Sequence, residues 1–310
     1  MKYIASTELE SALDVAKFLR RPLLLSGEPG TGKTTFADYV ESKYGYSLYK
    51  FYTKSISVSS ELFYYYDAVS HFANKEMPII NFIKLQPLGI AIINGIGKEV
   101  AKKLLYDRLA NDMAFANRSF FKQDQSGHEP EMEKLIDHFL RDCNYKKSLV
   151  LIDEIDKAPR DFPNDILNEI ENYAFEIKEL GLGFAIDKEK ASADFEIMVI
   201  LTSNFEKNLP DAFLRRCIYH HIKFPAAAEL EEIVKEHLDI NIDGGQLTKR
   251  IEEFMTIRRS NVQKKPATSE LIDCIKYLVD KGDLDKPLST KSAAIATLLK
   301  KRDDIEAVPL

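Results

Sequence analysis

The chain has 310 residues, 45% apolar and 30% charged, an ordinary balance for a globular protein with room for about two domains. Its 43 Lys and Arg against 49 Asp and Glu leave a net charge of −6, so no overall positive field draws nucleic acid or anionic lipid. The longest apolar stretch, residues 78–96, is broken by Asn81, Lys84, Gln86, Pro87, Gly89, Asn94 and Gly95, which argues against a membrane helix.

Residues 1–19 carry Glu8, Glu10 and Asp14 inside a helical pattern, which is not the pattern of a signal peptide. Five short apolar, β-branched runs then read as core strands: residues 22–26, 47–53, 148–153, 196–203 and 219–224. Three are nearly continuous apolar runs, as strands covered on both faces should be. Helical patterns separate most of them, so the expectation is a parallel five-stranded sheet in a three-layer α/β domain over residues 1–225. After residue 225 the pattern changes to four amphipathic helices, 227–239, 246–259, 268–281 and 289–302, an all-helical domain over 226–310. Two stretches look additional. A helical insertion is expected at about 91–147, with helices at 98–116 and 131–142, and a hairpin insertion at about 174–196. Asn117 opens a formal glycosylation sequon that carries no meaning in a cytosolic protein.

The chemistry begins at residues 27–34, Gly-Glu-Pro-Gly-Thr-Gly-Lys-Thr, which satisfy G-x-x-x-x-G-K-[ST] at every fixed position between a strand and a helix. Gly27, Gly30 and Gly32 free the backbone to bring N–H groups toward phosphate oxygens, and the helix N-terminus adds a partial positive charge. Glu28, Pro29, Thr31 and Thr35 complete the loop and its exit. Lys33 would reach the β- and γ-phosphates of a nucleoside triphosphate, and the Thr34 hydroxyl would ligate Mg²⁺. Residues 149–154, Leu-Val-Leu-Ile-Asp-Glu, form an apolar strand ending in two acids. At the carboxyl edge of a parallel sheet, Asp153 can hold the Mg²⁺ water shell and Glu154 can polarise an attacking water. Asn204, ending the fourth strand, can bond that water or the γ-phosphate, or simply cap the next turn. Arg215 and Arg216 close a short helix, where they either match its dipole or reach a neighbouring subunit.

Other residues read more plainly. Arg258-Arg259 and Lys264-Lys265 are basic clusters of the kind a solvated helix face presents. Tyr64-Tyr65-Tyr66 and Phe51-Tyr52 read as core aromatics rather than a gripping loop. His128, His220 and His221 have no metal-ligand spacing, and Cys143, Cys217 and Cys274 stand far apart without a C-x-x-C pair. Such cysteine usage predicts a reducing, cytoplasmic setting.

Taken together, the loop at 27–34, Leu-Ile-Asp-Glu-Ile-Asp-Lys-Ala at 151–158, Leu-Thr-Ser-Asn at 201–204 and Leu-Pro-Asp-Ala-Phe-Leu-Arg-Arg at 209–216 resemble an AAA+ ATPase of the MoxR family. Residues 61–69, 85–89, 161–171 and 265–271 resemble one branch of it, which includes ATPases like those that help mature carbon-monoxide dehydrogenase. The likeness covers about residues 15–90 and 148–280. It implies a P-loop NTPase core with an all-α lid, ATP as the nucleotide with Mg²⁺, and a homo-oligomer in a hexameric ring. Lys33 and Thr34 become the Walker A pair, Asp153 and Glu154 the Walker B pair, Asn204 sensor 1, and Arg216 the trans arginine finger. Insertions from residue 55 onward and at 174–196 match family insertions that face a ring's pore, and a VWA-type protein accompanies some relatives. The chain departs from many AAA+ proteins at Ser269, where a sensor-2 arginine is absent, leaving that role vacant or to Lys264 or Lys265.

Two readings of function follow: a ring ATPase that remodels or matures a protein partner, and an ATP-operated switch or scaffold with little turnover. A DNA motor lacks a basic domain, and a small-molecule kinase gives Arg216 and the lid no purpose.

Overall fold

A computed structural model describes residues 3–110, 128–187, 196–238 and 244–308. The sequon at Asn117, the end of the predicted helix at 98–116 and residues 188–195 of the expected hairpin lie outside the described residues.

The principal sheet contains β1 (Leu23–Ser26), β2 (Ser47–Tyr52), β5 (Ser148–Asp153), β8 (Ile197–Ser203) and β9 (Ile218–His221), in the order β2-β5-β8-β1-β9. The central strands β5 and β8 are buried at every residue, whereas β2 and β9 at the edges are only partly covered. This is the burial that an apolar run covered on both faces requires. Parallel pairing sets β2 against β5 from Ser47↔Ser148 to Tyr52↔Asp153, and β5 against β8 from Ser148↔Ile197 to Ile152↔Leu201. One step beyond that last pair, Asp153 stands at the level of Thr202. The expected five-stranded parallel sheet is therefore present, within a residue or two at most strand ends and three at the last.

Two antiparallel pairs accompany it: β3 (Tyr64–Tyr66) with β4 (Ile83–Leu85), and β6 (Ala174–Ile177) with β7 (Leu182–Ala185). Stacked rings join them, Phe63 on Phe175 at 5.4 Å and Phe175 on Phe184 at 5.3 Å between centroids. The alternation of β3 buries Tyr64 and leaves Tyr65 half exposed. The helix Pro87–Ile96 is buried from Leu88 to Gly95. Within it Asn94, fully buried, donates to the Tyr49 hydroxyl at 3.0 Å and Ser148 Oγ at 3.1 Å, and its Oδ1 accepts the Asn144 and Tyr145 amides at 3.0 Å. The helices Lys98–Ala110 and His128–Phe139 pair through Lys102 and Asp137 at 2.7 Å. Among the described residues no helix is long and apolar enough to cross a membrane.

Contacts group the chain into two compact units. One comprises residues 10–25 and 40–220, which hold most of the sheet and both hairpins. The other joins residues 1–9 and 26–39 to 221–310, so the Gly-rich loop packs with the C-terminal helices. Those helices, Ala227–Leu238, Gly244–Arg259 and Thr268–Lys281, share a core around Leu230, Val234, Ile251, Phe254, Leu271 and Ile275. The fourth expected helix, 289–302, is not continuous: only Ile295–Leu298 and Arg302–Ala307 are helical. Ser292 Oγ accepts the Ala294 amide just ahead of the first short helix, and Leu299 ends it in an extended conformation, φ −111° and ψ 129°. Beyond Leu299, buried Asp304 accepts the Gln263 and Lys264 amides and anchors the last short helix separately.

Candidate nucleotide site

The Gly-rich loop follows β1 and ends where the helix Lys33–Tyr44 begins. Gly27, Gly30 and Gly32 all have positive φ, at 152°, 75° and 86°. Gly30 lies against the start of the helix Thr268–Lys281, where a Cβ would stand 2.6 Å from the Ala267 Cβ and 3.3 Å from the Thr268 amide nitrogen. Only glycine combines that backbone conformation with so close an approach.

Lys33 is 7% exposed, and its Nζ donates to the Gly27 and Glu28 carbonyls at 2.9 Å each. Thr31 Oγ1 donates to the same Glu28 carbonyl at 2.9 Å. Thr34 and Thr35 are half-buried on the first turn of the helix, and Glu28 and Pro29 are exposed. Tyr3 covers Gly32, where a Cβ would meet its ring at 2.9 Å, and burial pushes the Tyr3 hydroxyl pKa up to about 12. The loop is thus a backbone cradle with a buried ammonium folded onto it, a donor set that fits a polyphosphate.

The second group of residues stands at the carboxyl ends of β5 and β8. Thr202, 1% exposed, donates its hydroxyl to Asp153 Oδ1 at 2.6 Å and accepts the Glu154 amide at 2.8 Å. Glu154 has φ 56° and ψ 50°, a left-handed conformation that costs a non-glycine residue about 1–3 kcal/mol. The Thr202 bond helps to hold it there. Glu154 Oε2 pairs with Lys157 Nζ at 2.5 Å, and that hydrogen bond raises the lysine pKa above its ordinary range. Asp156, 3% exposed, accepts the amides of Asn204 at 3.4 Å and Glu206 at 2.8 Å. The turn carrying Asn204 is therefore pinned to the turn carrying Glu154. A single buried carboxylate, Asp153, at a strand end suits Mg²⁺, which keeps most of its ligands as water and phosphate.

Arg216 lies on the surface, its Nε donating to Glu171 Oε1 at 2.6 Å and its Nη1 to the Ala212 carbonyl at 3.3 Å. Arg215 is exposed, as are Lys264, Lys265 and Ser269.

Sequence reasoning misses three participants. Thr202 and Asp156 both sit inside the motifs, and a polar residue closing an otherwise apolar strand is the signal that marks Thr202. Arg258 corrects an expectation: it is buried rather than part of a solvated basic face, and it pairs with Glu28 of the loop. Its spacing from Leu247, Ile251 and Phe254 continues the buried stripe of its helix, which the sequence does display.

No curated protein matches the chain. Among solved structures, the Thermotoga maritima RuvB Holliday junction branch migration motor is similar at 14% identity and a TM-score of 0.43. The likeness covers 88% of this chain and 60% of that one, so this chain spans about three fifths of its length. The family model for the AAA domain (dynein-related subfamily) matches residues 22–217, well over half of the sequence. The chain belongs to the AAA domain family, in its dynein-related subfamily.

Proposed function

We propose that this chain is a Mg²⁺-dependent ATPase of the MoxR type that forms a ring and couples hydrolysis to remodelling or maturation of a protein partner. The observation that carries the reading is the Thr202 bridge, which holds Asp153 and Glu154 together at a strand end while Asp156 pins the Asn204 turn. Such over-determined geometry is what water activation needs and a plain structural turn does not. Bound Mg²⁺ would neutralise charge on the phosphate oxygens, with Thr34 and Asp153 as its protein ligands. Lys33 exchanges its carbonyl partners for phosphate oxygens. Glu154 leaves Lys157 and takes a proton from the attacking water, and Asn204 orients that water. Arg216 acts in a neighbouring subunit's site once released from Glu171, where a finger supplies a factor of roughly 10³–10⁵ in rate.

One observation favours the second reading, a nucleotide-operated switch with little turnover. Glu154 and Arg216, the two residues that turnover needs free, are each held in an ion pair. Hydrolysis per subunit, measured as protein concentration rises through the micromolar range, separates the readings. Activity that climbs and saturates, and is lost in Arg216→Ala with nucleotide binding intact, supports the ring ATPase. A flat, substantial rate places the whole site in one chain, and a rate near zero throughout favours the switch.

A further inference from the structure

Glu28 puts a carboxylate in a loop whose other features suit a polyanion. Its carbonyl receives both Lys33 and Thr31, so the position of the Lys33 ammonium depends on how Glu28 is held. An unpaired carboxylate there would repel phosphate.

Arg258 answers that charge. Its Nη2 pairs with Glu28 Oε2, its Nη1 donates to the Pro266 carbonyl, and its guanidinium carbon lies 3.4 Å from the centre of the Phe224 ring. Three partners of different kinds fix a side chain that is 7% exposed, while the Glu28 side chain remains 49% exposed. Pro266 directly precedes Ala267, which meets the loop again at Gly30. The C-terminal helices therefore hold the loop at two points, one by charge and one by packing.

We propose that Arg258 is a positioning residue for the phosphate loop: it neutralises Glu28 and fixes the loop in the form that accepts a nucleoside triphosphate. The proposal rests on the nucleotide-binding reading above. It has a directional consequence that a simple structural ion pair lacks. Removing the cation leaves a bare carboxylate beside the phosphates and weakens binding, whereas removing the carboxylate leaves a cation there and tightens it.

The test is titration with a fluorescent ATP analogue and Mg²⁺ for wild type, Arg258→Ala, Arg258→Lys, Glu28→Gln and the Arg258→Ala/Glu28→Gln double variant, with thermal melting as a control of folding. A unit charge a few ångströms from the phosphates, screened by the water around the half-exposed Glu28 carboxylate, changes affinity by about five- to tenfold. Arg258→Ala is expected to weaken binding by about that factor, less so at high salt. Glu28→Gln is expected to tighten it, and the double variant to recover most of the loss. Arg258→Lys, which keeps the charge without the planar fork, falls between. If Arg258→Ala does not fold, Glu28→Gln and Arg258→Lys carry the test. Equal weakening in Arg258→Ala and Glu28→Gln, or no change in either, overturns the proposal while leaving nucleotide binding standing. Failure of the wild type to bind removes the nucleotide reading and this proposal with it.

Discussion

Replacing Thr202 by Val removes one hydroxyl from a site where it makes two bonds. The donor to Asp153 Oδ1 at 2.6 Å is lost, and the Glu154 amide loses the acceptor it reaches at 2.8 Å. A hydrogen bond to a charged group contributes about 1.5–3 kcal/mol, and a buried amide left unsatisfied costs about 1–3 kcal/mol. Because the two losses share one atom, they do not add fully, and a net loss of about 2–4 kcal/mol is expected. In a unit of this size each kcal/mol lowers the melting temperature by about 2–4 °C, so the variant should melt about 5–15 °C below wild type. Thr202→Ser keeps the hydroxyl and should recover most of the difference. Activity should fall further than stability explains, because Glu154 is no longer held in its left-handed conformation. Displacement of a catalytic group by about 1 Å costs on the order of 10²-fold. Thermal melting and hydrolysis at saturating ATP are the assays. A Thr202→Val protein that melts with wild type and hydrolyses at its rate would refute the bridge.

Glu154→Gln should bind nucleotide and fail to turn it over; normal hydrolysis would place the base elsewhere. Lys157→Ala should raise basal hydrolysis severalfold by freeing Glu154, and a fall would make Lys157 part of the reaction rather than a restraint. Burial pushes the thiol pKa of Cys143 and of Cys217 up to about 12 from 9.0, so the folded chain keeps protons that the unfolded chain releases. Their contribution to stability is complete below pH 9 and declines between about pH 9 and 12, which denaturation at a series of pH values will follow. At about pH 8 the same thiols should resist a disulfide reagent until the protein is unfolded, and fast labelling of Cys217 in the native protein would contradict its burial.

The sheet and the two groups of site residues are legible in the amino-acid order. Short, β-branched apolar runs such as 148–153 and 196–203 read as covered strands, and a Gly-rich loop between strand and helix is local chemistry that needs no distant partner. Periodicity also displays three of the C-terminal helices, but not the break after Leu298, where Leu299 takes an extended backbone and Asp304 ties the following short helix to the Gln263 amide. Which polar residues are held, and by what, is settled only when the elements pack. Arg258 reads as a surface cation until its helix is packed, because periodicity tells which face is buried but not that an anion waits 230 residues away. Thr202 meets Asp153 only through the β5–β8 register, and Asp156 meets the Asn204 turn only because parallel strands end side by side. Local pattern fixes the elements; register and packing choose their partners.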